Sequence, residues 1–151
     1  MNRTNSNSPA HVIGMQLSGL MANIAEKIEE RENMTKRFTL SDFVCPCCNR
    51  LRTSPRLYDH AKMLDELQEL LGFPIEIVRA YLCSKMIKTL GMNPNTYHAL
   101  LATDVKPKEI VTGREMLTLF MAAREVGFTG VILHDDHVHL DLRKEPLYRK
   151  V

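Results

Sequence analysis

The sequence predicts an α+β domain: a small, mostly antiparallel sheet flanked by helices. Three observations predict it. Two segments, 57–71 and about 112–126, repeat apolar residues at helical spacing. Two others, 74–81 and 137–142, alternate apolar and polar residues as strands do. Turn-forming residues punctuate them, at Gly72, Asn93-Pro94-Asn95, Gly127 and Asp135-Asp136. A chain of 151 residues, 44% hydrophobic and 25% charged, is long enough to bury a core and ordinary in its balance.

Residues 1–10, rich in Asn, Ser and Thr, read as a disordered tail. Residues 11–33 form an amphipathic helix through Val12, Ile13, Leu17, Leu20, Met21, Ile24 and Ile28. It either packs on its own domain or docks on a partner or a second copy. Residues 34–151 then form the main domain. Ser54-Pro55 opens a helix by capping logic. Leu57, Ala61, Leu64, Leu67 and Leu71 carry it to Gly72. Pro74 to Tyr81 is a strand, 84–97 a loop with a short helix, and Leu100 to Val105 a second strand. A helix starts at Thr112-Gly113-Arg114-Glu115 and stops at Gly127. Gly130 to Leu133 and His137 to Leu142 pair as a hairpin around Asp135-Asp136.

A formal net charge of +2 speaks against a nucleic-acid or membrane-surface footprint. No apolar run reaches the length of a membrane span. The first ten residues do not read as a secretory signal, so cytoplasmic synthesis is expected, with access to the periplasm or cell wall by another route. The nine methionines are core filler. His11 and His60 are expected to face solvent.

Three of the four cysteines sit in Cys45-Pro46-Cys47-Cys48; the fourth is Cys83. Cys45 and Cys48 have C-x-x-C spacing. A structural zinc site needs two more ligands, of which Cys83 supplies at most one. A disulfide to Cys83, in an oxidising space, and free thiols are the other readings.

The chemistry concentrates between His134 and Asp141, where three of the six histidines and three aspartates fall within eight residues. On a strand, His137, His139 and Asp141 share one face, and Val138, Leu140 and Leu142 the other. His139, with His98 and Asp104 upstream, makes a two-His, one-carboxylate set that leaves a zinc position open. His98 and Asp104 would lie about 20 Å apart on one straight strand, so sharing a metal requires a bend between them. Asp136 stands in the turn, placed as a general base for an attacking water, and His134 faces the same end of the hairpin. His137 reads as a neighbour. Asp141 either fixes a ligand histidine or pairs with Arg143.

These residues resemble the zinc D-Ala-D-Ala carboxypeptidase and D,D-dipeptidase family, the peptidoglycan metallopeptidases related to the vancomycin-resistance dipeptidases. The resemblance runs from Phe38-Thr39-Leu40-Ser41-Asp42-Phe43-Val44-Cys45 through Leu71-Gly72-Phe73-Pro74-Ile75-Glu76-Ile77 and Tyr81 to Val138-His139-Leu140-Asp141-Leu142-Arg143. It covers roughly 70% of the chain. It implies a Hedgehog/D-Ala-D-Ala-peptidase-like fold and a Zn2+ held by His98, Asp104 and His139. It also implies Asp136 as the catalytic carboxylate of a D-x-x-H element and His134 as an accessory to the transition state. The implied substrate is a peptidoglycan peptide cut at a D-amino acid. The His98–Asp104 spacing is one residue shorter than the family's, Leu101 stands where the family has Gly, and Leu82 stands in place of an Arg that helps hold substrate. A non-catalytic member that binds cell-wall peptide or serves in an assembly is the other expectation.

Overall fold

The computed structural model describes residues 34–109 and 112–151. The expected tail and the helix over 11–33 lie outside the described residues. The architecture is α+β. In chain order it runs α1 (Leu57–Leu71), β1 (Ile75–Arg79), α2 (Ser84–Thr89), β2 (Ala102–Pro107), α3 (Gly113–Val126), β3 (Gly130–Leu133), β4 (Val138–Asp141) and β5 (Leu147–Lys150). Single 3-10 turns lie at Leu40–Phe43 and Tyr97–Ala99.

The strands form one sheet in the order β1-β2-β4-β3-β5. The β1–β2, β2–β4 and β3–β4 pairs are antiparallel, and β5 lies parallel to β3. The sheet is therefore mixed, which corrects the expectation of a mostly antiparallel one. The cause is β5, which lies beyond the patterned part of the chain. Leu147-Tyr148-Arg149-Lys150 is a largely exposed edge, so no buried face imposes an alternation. The expected β3–β4 hairpin forms as read, and β2 begins two residues later than its pattern suggested.

Helices α1 and α3 pack on each other, and α3 lies across β2, β3 and β4. Leu57, Ala61, Leu64 and Leu67 of α1 are buried with Met116, Leu119 and Ala123 of α3 against Val105, Val131, Val138 and Leu140 of the sheet. Burying each large aliphatic side chain contributes about 1.5–3 kcal/mol. Both helices stop at a left-handed glycine, Gly72 at φ 70° and Gly127 at φ 111°, where a side chain would be strained.

His60 departs from expectation: it is fully buried on α1 rather than facing solvent. It lies three residues after Leu57 and four before Leu64, on the apolar face of the helix. Its Nε2 bonds the Thr103 hydroxyl at 2.9 Å, and Phe43 and Phe128 meet its ring edge-on. Burial pushes its pKa down to about 3, so the ring is neutral. Helices thus cover one face of the sheet. The other face carries the polar residues.

Candidate metal centre

Strand register builds the site. Asp104 on β2 pairs directly with His139 on β4; Arg79 lies opposite Asp104 on β1, and Ile132 opposite His139 on β3. Arg149 of β5 continues the row beside Ile132. These five residues line one cleft of about 440 Å³ together with His98, His134, His137 and Arg143.

His98 joins from outside the sheet. The chain runs through the 3-10 turn Tyr97–Ala99, where the Thr96 hydroxyl accepts the His98 N–H. It then turns sharply at Leu100 (φ −120°, ψ −84°) before β2 begins. This is the bend that the His98–Asp104 spacing demanded, made without a glycine. It brings His98 Nε2 to 3.1 Å from Asp104 Oδ1. His139 Nδ1 stands 3.0 Å from that same oxygen and 3.2 Å from His98 Nε2. His98, Asp104 and His139 are all buried.

The outer bonds settle the tautomers. His98 Nδ1–H donates to the Ala80 carbonyl at 2.7 Å, because a carbonyl only accepts. His139 Nε2–H donates to Asp141 Oδ2 at 2.9 Å. Asp141 is ionised: burial raises its carboxyl, but the bonds from Arg143 and His139 outweigh burial and hold it well below the usual range. A neutral ring at either position therefore turns a bare nitrogen lone pair toward Asp104 Oδ1. Three lone pairs 3.0–3.2 Å apart repel unless a cation sits among them. Protons do this only in part. Asp104 and Asp141 raise the His139 pKa against the effect of burial, but two imidazolium N–H groups facing each other at 3.2 Å would again repel. One divalent ion satisfies all three donors with both rings neutral. Ligands at about 2.0–2.2 Å from a tetrahedral ion stand roughly 3.3–3.6 Å apart, close to the separations seen. The donor set fits a metal ion.

The remaining residues surround this centre. Arg79 bonds the second Asp104 oxygen, Oδ2, at 2.8 Å. Asp141 takes both expected roles at once: it receives His139, and it forms a two-pronged pair with the Arg143 guanidinium. His134 and His137 stack with ring centroids 4.3 Å apart at the cleft. Asp136 is 88% exposed and lies in the turn; its carboxylate accepts from His137 Nδ1 at 2.6 Å. That bond lowers the Asp136 pKa and keeps it ionised. The other nitrogen of His137 faces Asp104 Oδ2 at 3.5 Å. On the sequence alone His137 reads as a neighbour; in the structure it bridges Asp136 and the centre. Its place on the His139 face was the signal. Leu82, at the family's arginine position, is a buried core residue whose N–H bonds the His98 carbonyl.

No protein-family model matches the chain, and the search of curated proteins gives no match either. The resemblance to the D,D-peptidases therefore rests on the motifs alone.

Proposed function

We propose that this chain is a zinc metallopeptidase of the D,D-carboxypeptidase kind, hydrolysing peptidoglycan-type peptides at a D-amino acid. The observation that carries the proposal is the convergence of His98 Nε2, Asp104 Oδ1 and His139 Nδ1 at the floor of an arginine-lined cleft, beside a D-x-x-H turn. His98, Asp104 and His139 would hold the ion. Bound zinc supplies Lewis acidity, polarising a scissile carbonyl and lowering the pKa of water to near neutral.

The chain's own residues supply the rest. Asp136, kept ionised by His137, accepts the proton of the attacking water and returns it to the leaving amine. His134 is neutral at pH 7, since burial first and then His137 lower its pKa, so it donates a hydrogen bond to the developing oxyanion. Arg79 and Arg149 offer guanidinium groups to the terminal carboxylate of a peptide, the task that Leu82 cannot perform.

A second reading keeps the metal and drops the turnover: a member that binds cell-wall peptide or serves in an assembly. The exposure of Asp136 and the burial of Leu82 favour it. The test is release of D-Ala from a D-Ala-D-Ala-terminated peptide by zinc-loaded protein, with an L-Ala-L-Ala peptide as control. Stereospecific release supports the peptidase. Absence of release from protein that holds its metal leaves the second reading.

A further inference from the structure

Four thiols outside the cleft form a second cluster. Cys45, Cys47, Cys48 and Cys83 each offer an Sγ, and all four sulfurs lie within 4.8 Å of one another. Cys45 and Cys47 are 3.6 Å apart, and Cys47 and Cys83 3.2 Å. Sulfurs on a tetrahedral zinc at about 2.3 Å stand roughly 3.8 Å apart. None of the four is in a disulfide. A single disulfide would account for two sulfurs and leave the convergence of the other two without a cause.

The backbone is arranged for this. Cys45 N–H donates to the Arg50 carbonyl and Asn49 N–H to the Cys45 carbonyl, closing a tight turn. Asn49 takes a left-handed φ of 51°, which asparagine tolerates. The turn swings Cys47 and Cys48 over buried Cys45. Cys83 then arrives from the far side of β1, its N–H donating to Cys45 Sγ at 3.4 Å. Backbone N–H donors to sulfur favour the thiolate, the form that binds metal.

We infer that Cys45, Cys47, Cys48 and Cys83 form a structural tetrathiolate zinc site, distinct from the His98–Asp104–His139 centre. Its place in the fold gives it a task. It clamps the 45–50 turn to residues 80–83, the link that leaves β1. That link holds His98 on both sides: Ala80 O receives the His98 ring, and Leu82 N–H bonds the His98 carbonyl. The cysteine site therefore positions His98 from behind, through three residues of backbone. It stands whether or not the chain is a peptidase.

Elemental analysis on the purified chain tests it, alongside Cys48→Ser, Cys47→Ser and His139→Ala. Cys47 and Cys48 are exposed, so their replacement leaves no core cavity. Wild type should hold two zinc ions, each single variant one, and Cys48→Ser combined with His139→Ala none. Cobalt substituted into His139→Ala should show the intense near-ultraviolet thiolate-to-cobalt charge transfer of a four-sulfur site, and Cys48→Ser should lose it. A wild type holding one ion that vanishes in His139→Ala but survives both cysteine changes would overturn this inference and leave the histidine centre standing. A Cys47–Cys83 disulfide in the isolated protein would overturn it too.

Discussion

His139 Nε2 lies 2.9 Å from Asp141 Oδ2, two residues away on the same face of β4, and that one bond decides which nitrogen of His139 faces Asp104. With a proton held at Nε2, a neutral His139 turns its Nδ1 lone pair toward the centre. The alternation of a β-strand thus sets the tautomer of a candidate metal ligand. Asp141→Asn should reverse it, because an amide NH2 facing Nε2 favours the proton on Nδ1. Metal affinity should fall roughly 10–100-fold, read by competition with a chromogenic chelator. Unchanged affinity would mean the tautomer is set elsewhere.

Gly130 is paired with Asp141 across the β3–β4 ladder. A Cβ built on Gly130 would overlap the Asp141 carboxylate and the Arg143 guanidinium. Gly130→Ala should therefore displace Asp141, costing about 1–3 kcal/mol of stability and weakening metal binding in the same step. Denaturant midpoints with and without metal check both parts. A variant that loses stability but binds metal normally would separate Asp141 from the centre.

Asp136→Ala should keep its metal and lose roughly 10²–10⁴-fold in peptide hydrolysis. His137→Ala should lose less, since it removes the partner of Asp136 and not the carboxylate. The two rates, measured on metal-loaded protein, rank the residues. Loss confined to His137→Ala would move the base role to that imidazole, whose Nε2 already faces Asp104.

His60 makes stability depend on pH. Folded, it stays neutral down to about pH 3; unfolded, it takes up a proton near 6.5. Between those values the unfolded state binds more protons, so stability rises with pH and is progressively lost as pH falls from 6.5 toward 3. Burial is the main cause; Asp141 opposes it at a distance, while His139, Arg56 and His98 add to it. The loss is on the order of a few kcal/mol. Asp104 and Asp141, both held well below the usual carboxylate range, lose their contribution at still lower pH. His60→Gln keeps a partner for Thr103 without titrating, so its stability should vary less with pH across this window. Urea midpoints of both proteins at several pH values measure the difference. Parallel curves would contradict the assignment.

Much of this was legible in the sequence where a periodicity was enforced by burial. The α1 and α3 patterns, their glycine stops and the β3–β4 hairpin all answer to a buried face. His139 was legible because its strand alternates cleanly. His98 and Asp104 were harder, since residue spacing says nothing of the turn at Tyr97–Ala99 that folds six residues back on themselves. His60 was misread because its residue type outweighed its position, although Leu57, Ala61 and Leu64 mark the face it occupies. Cys47 was passed over because the C-x-x-C template counts only Cys45 and Cys48. The tight turn closed by Asn49 N–H on the Cys45 carbonyl, with Asn49 left-handed, brings all three into one cluster. β5 carried no signal, being an exposed edge that skips β4 to pair in parallel with β3.

The geometry of His98, Asp104 and His139 calls for an ion between them. Anomalous diffraction from a crystal of zinc-loaded protein, recorded on both sides of the zinc absorption edge, tests it most directly. A peak is expected about 2.0–2.2 Å from His98 Nε2, Asp104 Oδ1 and His139 Nδ1. A map with no anomalous peak there, and the three side chains still in contact, would contradict it.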